Sequence, residues 1–377
     1  MENILISGGA GFIGSNLALK LVKLGYKVTI LDNLSPQIHS DEKENSYLLG
    51  SVKDKVNFIH GDVRNRDDWQ KAIADSSLIV HLAAETGTGQ SMYQIEKYIQ
   101  VNCVGTALML DVLTNDSHNI KKVIVASSRA IYGEGKYLSE TMGEVYPNER
   151  SEYQMSNGVF DLICTNNKKI LKHLATDEKS KIHPTSIYGI SKSNQEQMVL
   201  VACKSLGISA IALRYQNVYG PGQSLRNPYT GILSIFSTRI LNNNHINIFE
   251  DGKESRDFVF IDDVVDATVL AIEDTKLQSC SLNVGSGVST TVLEVADRLK
   301  KLFNSKVDIK ITGNFRLGDI RHNRADISKI KKILGFSPKV SFESGLKQYV
   351  DWVKKQKINA DYYDYSIKEM KDKGLIK

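Results

Sequence analysis

The stretch GGAGFIGS at residues 8–15 decides the fold of this chain. Gly8, Gly11 and Gly14 fit the spacing G-x-x-G-x-x-G, and the pattern G-x-G-x-x-G overlaps it one residue later. The apolar run at residues 4–6 precedes this stretch, and apolar residues at helical spacing follow it. Short apolar runs are typical of strands that are buried in a parallel sheet. The segment is therefore predicted to form a strand, a glycine turn and a helix.

The next predicted strand, residues 28–31, ends at Asp32, close to the distance of about 20 residues at which dinucleotide-binding folds carry an acid. In such folds the glycines let the backbone approach a pyrophosphate, the helix N-terminus offers free N–H groups to it, and the acid binds the ribose 2′-hydroxyl. Because the Asp32 carboxylate would repel a 2′-phosphate, NAD is predicted in preference to NADP. A purely structural glycine turn is the alternative interpretation.

Strand and helix signals continue to alternate through the first half of the chain. Residues 56–59, 78–82 and 122–126 are predicted strands, and residues 101–113 are apolar at helical spacing. This repeated strand–helix pattern predicts an α/β fold, a Rossmann-type doubly wound parallel sheet, whose ligands bind at the carboxyl ends of the strands.

Composition favours a small-molecule enzyme. The 377 residues are 41% hydrophobic and 24% charged, and the formal net charge of +5 is mild. Without a clustered basic stripe this charge suits an anionic small molecule, so no nucleic-acid partner is expected. The first predicted strand starts at Asn3, which leaves no room for a signal peptide, and no apolar run approaches the length of a membrane span. A cytoplasmic protein without a membrane partner is expected.

The cysteines predict neither a metal site nor a disulfide framework. Their four positions have no metal-ligand spacing, which favours free thiols in a reducing compartment: Cys103, Cys164, Cys203 and Cys280.

Three segments are predicted along the chain. Residues 1–219 form the NAD-binding domain, interrupted at about 139–184 by a polar, weakly periodic insertion that is either a lid or an irregular surface excursion. Residues 220–355 form a smaller mixed α/β substrate domain, which includes predicted strands at 246–249 and 282–284. Residues 356–377 are a C-terminal tail to which the sequence assigns no function.

Two stretches indicate the chemistry. Ser128 directly follows the strand at 122–126, and Tyr188 and Lys192 lie four residues apart at the start of a predicted helix, so their side chains share one face. A tyrosine has an unperturbed pKa of about 10 and is a poor base at neutral pH, but a lysine ammonium and a nicotinamide cation nearby would lower that pKa. Ser128 can hydrogen-bond the same substrate hydroxyl. A solvated helix face is the alternative interpretation of Tyr188 and Lys192.

The chain resembles the extended short-chain dehydrogenase/reductase family, specifically its nucleotide-sugar epimerases and dehydratases. The resemblance covers roughly residues 1–355, and it is carried by GGAGFIGS, DNL at 32–34, GDV at 61–63, HLAA at 81–84, Asn102, Ser127-Ser128, Tyr188 and Lys192, RYQNVYGPG at 214–222 and RDFV at 256–259.

The resemblance implies roles for individual residues. Tyr188, Lys192 and Ser128 are the catalytic group, with Tyr188 as the base. The implied NAD contacts are Gly8, Gly11, Phe12, Ile13, Gly14, Asp32, Asn33, Asp62, Val63, Leu82, Ala83, Ala84, Asn102, Tyr188 and Lys192, with Asp62 near the adenine and Lys192 also on the nicotinamide ribose. The implied nucleotide-sugar contacts are Ser128, Arg129, Asn217, Arg256, Arg316 and Asp319. A guanidinium fork suits phosphate oxygens, whereas surface salt bridges are the alternative interpretation of the arginines.

Dehydration is disfavoured by the residues after Ser128. The dehydratases of the family share a Thr-Asp-Glu signature, and its positions fall here on Ser128, Arg129 and Ala130. Removing water needs an acid and a base, and neither Arg129 nor Ala130 offers a carboxylate. A 4-epimerase needs only Tyr188 and a hydride acceptor that returns the hydride to the other face of the sugar. The NAD would then be recycled rather than consumed.

Three stretches resemble a group within the family, the bacterial dTDP-L-rhamnose 4-epimerases: DNLSPQIH at 32–39, GQSLRNPYTG at 222–231 and RLGDIRH at 316–322. This resemblance implies a dTDP-6-deoxyhexose as substrate, and a homodimer is expected. Epimerases of UDP-, GDP- or CDP-sugars and a 4,6-dehydratase stay open as alternatives. A non-catalytic NAD-binding sensor is a further alternative, against which the presence of Tyr188, Lys192 and Ser128 argues.

Overall fold

The glycine stretch lies between an interior strand of a parallel sheet and the helix that follows it, as the sequence predicts. The computed structural model describes residues 2–39, 46–229, 231–357 and 361–377. Thr230 of the stretch at 222–231 and residues 358–360 of the C-terminal tail lie outside these ranges.

The strands within the described ranges alternate with helices through most of the chain. In chain order they are β1 (Asn3–Ser7), β2 (Lys27–Asp32), β3 (Asn57–His60), β4 (Leu78–His81), β5 (Lys122–Ser128), β6 (Tyr137–Ser139), β7 (Gly143–Val145), β8 (Lys172–His173), β9 (Ser209–Tyr215), β10 (Asn217–Tyr219), β11 (Ile246–Ile248), β12 (Ser255–Phe260), β13 (Cys280–Val284), β14 (Ser289–Thr291) and β15 (Ile309–Ile311).

The α-helices of the described residues are α1 (Phe12–Lys23), α2 (Pro36–His39), α3 (Tyr47–Val52), α4 (Arg66–Ile73), α5 (Thr88–Ser91), α6 (Ile95–Tyr98), α7 (Gly105–Asn115), α8 (Glu152–Ser156), α9 (Ile187–Ser205), α10 (Ile232–Leu241), α11 (Ile261–Glu273), α12 (Val292–Phe303), α13 (Ser328–Leu334), α14 (Phe342–Val353) and α15 (Tyr363–Asp372). A π-helical turn (Ile99–Val104) precedes α7, and short 3-10 turns span Lys53–Lys55 and Arg129–Tyr132. None of the helices in these ranges has the length and apolar character needed to cross a lipid bilayer.

The main sheet has seven strands in the order β13-β9-β5-β4-β1-β2-β3, and all of its pairings are parallel. The chain therefore winds from β1 outwards in one direction and then from β4 outwards in the other, which is the doubly wound arrangement of a Rossmann fold. The predicted fold class is confirmed. The strand ends beside β1 and β4 are the point at which such sheets bind their ligands.

Apolar clusters cover both faces of the main sheet. Ile4 and Ile6 of β1 point into one cluster, while Leu5 points into the other, and all three are fully buried. This alternation is what a strand covered on both faces by helices requires. The first cluster continues without interruption into the smaller half, where it includes residues of α10, α12 and α14.

Strand β13 lies in the main sheet, although the sequence analysis placed residues 282–284 in the smaller domain. It pairs in parallel with β9, and Leu282 and Val284 are fully buried. The physical reason is that the apolar residues of β13 extend the cluster on one face of the sheet. The segment 220–355 thus contributes to both halves of the molecule. The predicted boundary at 219/220 therefore does not separate these two halves in space.

The insertion at 139–184 contains regular structure. Strands β7, β6 and β8 form an antiparallel sheet, and a small apolar cluster that includes Tyr137, Leu162 and Leu171 packs beside it. Buried Arg150 fixes the insertion to the rest of the protein, because its guanidinium donates to the carboxylate of Glu250 and to the backbone oxygen of Asp319. The insertion therefore braces the loop that carries the predicted substrate residues.

Candidate active site

A cavity of about 530 Å³ extends from the carboxyl ends of β1, β4 and β5 to the smaller half of the molecule. This size lies within the range typical of small-molecule sites. The residues that line it include all but two of the predicted site residues, namely Gly8, Gly11, Phe12, Ile13, Gly14, Asp32, Asn33, Val63, Leu82, Ala83, Ala84, Ser128, Arg129, Tyr188, Lys192, Asn217, Arg256, Arg316 and Asp319.

The glycine turn at one end of the cavity has no room for side chains. Gly8 has a φ of +71°, and a Cβ atom there would lie 2.7 Å from the backbone nitrogen of Ala83. A Cβ on Gly14 would lie 2.4 Å from the carbonyl oxygen of Gly8. The first turn of α1 contains no acidic residue, so its N–H groups and the positive end of the helix dipole remain suited to an anion. The turn fits the pyrophosphate of a dinucleotide.

Asp32 is held rigidly at the end of β2. Its carboxylate accepts hydrogen bonds from the backbone N–H groups of Ala10 (3.0 Å) and Leu34 (2.9 Å). Burial raises the pKa of Asp32, and these hydrogen bonds oppose that rise. Because carboxylate oxygens have several acceptor positions, Asp32 can also accept from a ribose hydroxyl.

Asp62 and Asn102 are the two predicted residues that do not line the cavity. The Asp62 carboxylate accepts hydrogen bonds from the guanidinium of Arg64 (2.8 Å) and from the side-chain amide of Asn33 (3.0 Å). The hydrogen bond from Arg64 is the main cause that lowers the pKa of Asp62 to about 2. Buried Asn102 exchanges hydrogen bonds with the backbone of Glu85, a residue of the cavity wall. Asn102 thus supports the wall from behind, and a direct contact of either residue with NAD stays a prediction.

The start of α9 brings the catalytic candidates together. The side chain of Ser186 caps this helix by accepting from the N–H of Gly189 (3.1 Å). A Cβ on Gly189 would lie only 2.6 Å from the carbonyl oxygen of Ala130, so glycine allows α9 to approach the end of β5. As a result Tyr188 and Lys192 face the same cavity as Ser128.

The charges of this group respond to burial. Burial raises the pKa of Tyr188, whereas the Ser128 hydroxyl and the positive charge of Arg129 lower it. Burial also lowers the pKa of Lys192 to about 7. A cationic lysine or a nicotinamide cation beside the phenol favours its ionised form, so the arrangement can move a proton between Tyr188 and a sugar hydroxyl.

A buried polar network behind Lys192 was not foreseen from the sequence. The Lys192 ammonium donates to the side-chain oxygen of Gln195 (2.7 Å), whose amide nitrogen donates to the hydroxyl of Thr106 (2.8 Å). The ring of His81 lies on the same network, bonded to Thr106 (2.8 Å) and to Ser7 (2.6 Å). Burial lowers the pKa of His81 to about 3, so the ring is neutral at physiological pH. The network fixes the position of Lys192.

Three arginines meet at the far end of the cavity. The Asp319 carboxylate lies between Arg256 (2.9 Å) and Arg316 (3.0 Å), and Arg129 reaches the same region. Although burial opposes the change, Arg316, Arg256 and Arg129 hold the pKa of Asp319 far below its usual range. Burial raises the pKa of Glu254, a further acid in the cavity wall, to about 7. The excess of positive charge suits a diphosphate.

Orphan polar atoms lie in the cavity wall, and two of them belong to predicted substrate contacts. Among the residues that the structure describes, the side-chain oxygen of Asn217 and the Nε of Arg316 are buried without a hydrogen-bond partner. Buried polar atoms are nearly always bonded, so these two fit a polar ligand. Arg256 is only 7% exposed, which excludes the surface salt bridge as the explanation of this residue.

Further residues of the cavity wall were not predicted from the sequence. They lie in the loop around residue 223, in α10, beside β11 and in the C-terminal tail, and they include Gln223, Tyr229, Ile235, Phe249, Tyr363, Ile367 and Met370. The tail carried a usable signal, since Tyr363, Ile367 and Met370 follow the i, i+4, i+7 spacing of one helix face.

Comparison with known proteins identifies the class. The family described as the NAD dependent epimerase/dehydratase family matches residues 4–170 and 167–285. A dTDP-L-rhamnose 4-epimerase of Burkholderia thailandensis is 34% identical over 354 residues, which is 93% of this chain and 95% of that protein.

Solved structures agree. The UDP-glucose 4-epimerase of Thermotoga maritima, solved with UDP-glucose, has a TM-score of 0.75 at 30% identity and covers 94% of this chain and 99% of its own. The UDP-glucuronic acid 4-epimerase of Bacillus cereus, solved with UDP-glucuronic acid and NAD, has a TM-score of 0.76 at 27% identity and covers 93% of this chain and 99% of its own.

The chain belongs to the NAD-dependent epimerase/dehydratase family. Within it, the protein is an NAD-dependent nucleotide-sugar epimerase, and the predictions of family, enzyme class and cofactor are confirmed.

We expect the protein to prefer NAD over NADP. A 2′-phosphate would stand against the fixed carboxylate of Asp32, and two like charges at about 4 Å repel by about 1 to 4 kcal/mol in surroundings between water and a protein surface. Because about 1.4 kcal/mol is a factor of ten, the preference should exceed roughly fivefold. Calorimetry on protein stripped of cofactor measures both affinities. The variant Asp32→Asn should reduce the ratio, whereas equal affinities in the wild type would contradict the role of Asp32.

Proposed function

We propose that the protein is a nucleotide-sugar 4-epimerase that acts on a dTDP-6-deoxyhexose such as dTDP-L-rhamnose. The observation that carries this proposal is the position of Ser128 and Tyr188 in one cavity, between a glycine turn that fits NAD and an arginine cluster that fits a diphosphate. A nucleotide sugar bound at the arginines would bring its sugar to Tyr188. The similarity to the Burkholderia dTDP-L-rhamnose 4-epimerase supports the choice of nucleotide and sugar.

Each residue of the catalytic group has a distinct task. Bound NAD supplies the hydride acceptor and donor for C4 of the sugar. Tyr188 accepts the proton of the C4 hydroxyl as this carbon is oxidised, and it returns the proton after the 4-keto sugar has turned over in the cavity. Lys192 supplies positive charge that favours the phenolate, and Ser128 donates a hydrogen bond to the oxygen on which negative charge develops.

A 4,6-dehydratase is the second candidate, and the residues beside Ser128 argue against it. Elimination of water requires a proton acceptor for C–H and a proton donor for the leaving hydroxyl. Arg129 lies in the cavity wall, and its pKa is lowered to about 10 by burial and by the charge of Arg256, so it remains a cation at neutral pH. Ala130 has no titratable group.

The expected homodimer and the cytoplasmic location stay predictions.

A panel of sugar nucleotides tests the proposal. The purified protein is incubated with dTDP-, UDP-, GDP- and CDP-sugars without added cofactor, and the products are identified by NMR. We expect dTDP-L-rhamnose to be converted into its C4 epimer, dTDP-6-deoxy-L-talose. Conversion of a UDP-sugar alone would replace the proposed nucleotide, a 4-keto-6-deoxy product would indicate a dehydratase, and no product from any sugar would indicate a non-catalytic NAD-binding protein.

Epimerisation in D₂O should place no deuterium on the sugar carbons. If C4 alone is oxidised and reduced, its hydrogen passes to the cofactor and back without exchange with solvent. NMR or mass spectrometry of the product measures the incorporation. Deuterium at C3 or C5 would show enolisation of the keto sugar by a further acid/base pair, which would contradict C4 oxidation as the sole step.

A further inference from the structure

The C-terminal helix α15 forms part of the cavity wall. Its residues Tyr363, Ile367 and Met370 line the cavity, and Met370 is only 2% exposed. The outer face of the helix is solvent-exposed, as Tyr365 shows with an exposed fraction of 66%. Apart from the tyrosine hydroxyl, α15 therefore presents an apolar surface to the cavity.

Met370 lies beside the short helix α5, which in turn contacts the start of the helix that carries Tyr188. Its sulfur is 3.0 Å from the position that a Cβ atom on Gly89 would occupy, in the short helix α5. Ser91, two residues further along α5, accepts a hydrogen bond from the backbone N–H of Tyr188 (3.1 Å). One short helix thus separates Met370 from the base.

Tyr363 lies towards the arginine cluster, since burial raises the pKa of its hydroxyl and the positive charges of Arg316 and Arg239 oppose that rise. The guanidinium of Arg239 is 4.8 Å from the centre of the Tyr363 ring, and it donates a hydrogen bond to the carboxylate of Asp364 (2.8 Å). Since Tyr363 and Met370 both line the cavity, α15 extends along it from the arginine cluster towards the catalytic group.

Glu369 fastens this helix to both halves of the molecule. One oxygen of its carboxylate accepts from the hydroxyl of Tyr93 (2.8 Å), just after α5, and from that of Tyr229 (2.5 Å) in the smaller half. Beyond the helix, the backbone of residues 375–377 pairs with that of 315–317, next to Arg316 and Asp319. The tail is therefore attached on three sides of the cavity.

We propose that α15 is the specificity-determining wall of the sugar site, with Ile367 and Met370 selecting a methyl group in place of a hydroxymethyl group on the sugar ring. The proposal rests on the proposed function. A hydroxyl placed against these side chains would lose its water without gaining a hydrogen bond, whereas a methyl group loses nothing. Glu369 holds the wall in place by joining Tyr93 and Tyr229 across the cavity.

The first test uses dTDP-L-rhamnose and dTDP-L-mannose, which differ only in the hydroxyl at C6. From the discrimination that apolar pockets achieve, the wild type should favour the 6-deoxy sugar by about 10- to 100-fold in kcat/KM. Met370→Gln should reduce this ratio by at least about fivefold because the amide can bond the added hydroxyl. Met370→Leu, which keeps the wall apolar, should retain it. Met142→Gln makes the same change at an exposed methionine and should retain it as well.

The second test addresses the attachment. Glu369→Ala should raise KM, and the dissociation constant measured by calorimetry, by about tenfold for the sugar nucleotide that the wild type converts, with bound NAD unchanged. Asp372→Ala removes the same charge from an exposed position of α15 and is the matched control.

An unchanged sugar ratio in Met370→Gln, or equal KM values in Glu369→Ala and Asp372→Ala, would overturn the proposal. If the wild type converts only a UDP-sugar, the proposed nucleotide fails, while Glu369→Ala still tests the wall with that sugar. If it converts none, the proposed function fails, and calorimetry with dTDP-L-rhamnose and dTDP-L-mannose tests the wall on all variants.

Discussion

Replacing Tyr188 with phenylalanine is expected to cut turnover by a factor of about 10² to 10⁴, the range for loss of a general base, and to leave NAD in place. The variant loses only the phenolic oxygen. Its ring can keep the edge-on contact with Tyr98, where the ring centres are 6.4 Å apart. The glycine turn and Asp32, which are predicted to hold the far part of the dinucleotide, belong to other elements and are not touched by the change.

Turnover of dTDP-L-rhamnose and the NAD content of the purified protein measure this effect. Tyr153→Phe is the matched control, since Tyr153 is 81% exposed in the insertion. Activity of Tyr188→Phe within a few-fold of the control would show that another group accepts the proton.

Replacing Lys192 with methionine should have a comparable effect on turnover, a loss of about 10²-fold or more, since Tyr188 would lose the positive charge that Lys192 is proposed to supply to its phenolate. The same change should alter how stability depends on pH. In the folded protein the pKa of Lys192 is about 7, whereas an unfolded chain holds lysine at about 10.4. Between these two values the unfolded state binds more protons than the folded state, so the free energy of unfolding rises with pH.

The size of this rise is up to about 1.4 kcal/mol per pH unit between pH 7 and about 10. The destabilisation of the folded state by Lys192 has its full size below pH 7 and vanishes above the pKa that lysine has in the unfolded chain. In Lys192→Met this destabilisation is absent at every pH. Urea unfolding of protein stripped of NAD, at several values of pH, compares the two slopes. Lys204→Met removes an exposed lysine from the same helix and should behave like the wild type. Parallel curves for wild type and Lys192→Met would contradict the lowered pKa.

Local patterns made the NAD half predictable from the sequence. Backbone conformation forces glycine at position 8, the close approach of the Gly8 carbonyl oxygen forces it at position 14, and the spacing from this turn to Asp32 is set by one helix and one strand. Tyr188 and Lys192 are four residues apart on a single helix, so their proximity needs no tertiary information. The strands of the main sheet up to β5 could also be predicted, because each of them is a short apolar run of consecutive residues.

The remaining features depend on contacts between distant residues. In the sequence nothing distinguishes Gln195 from other helix residues. Only the fold shows that its side chain lies between Lys192 and Thr106. The role of α15 depends on Glu369 meeting Tyr93, which lies 276 residues earlier. The short strand β13 carries no signal that says which sheet it joins. Such pairings are determined by burial, and burial is known only once the elements have packed.

The place of β13 in the main sheet has a consequence for how the chain is made. During synthesis residues 1–219 emerge first and already contain β9, whose backbone pairs with β5 on one side and with β13 on the other. Until residues 280–284 follow, the second side of β9 is an open edge next to fully buried residues such as Ile211 and Leu213. Open apolar edges promote pairing with other chains, which is the usual route to aggregation. The late strand thus acts as a cover for the early half, and a fragment cut at residue 219 would lack its protection.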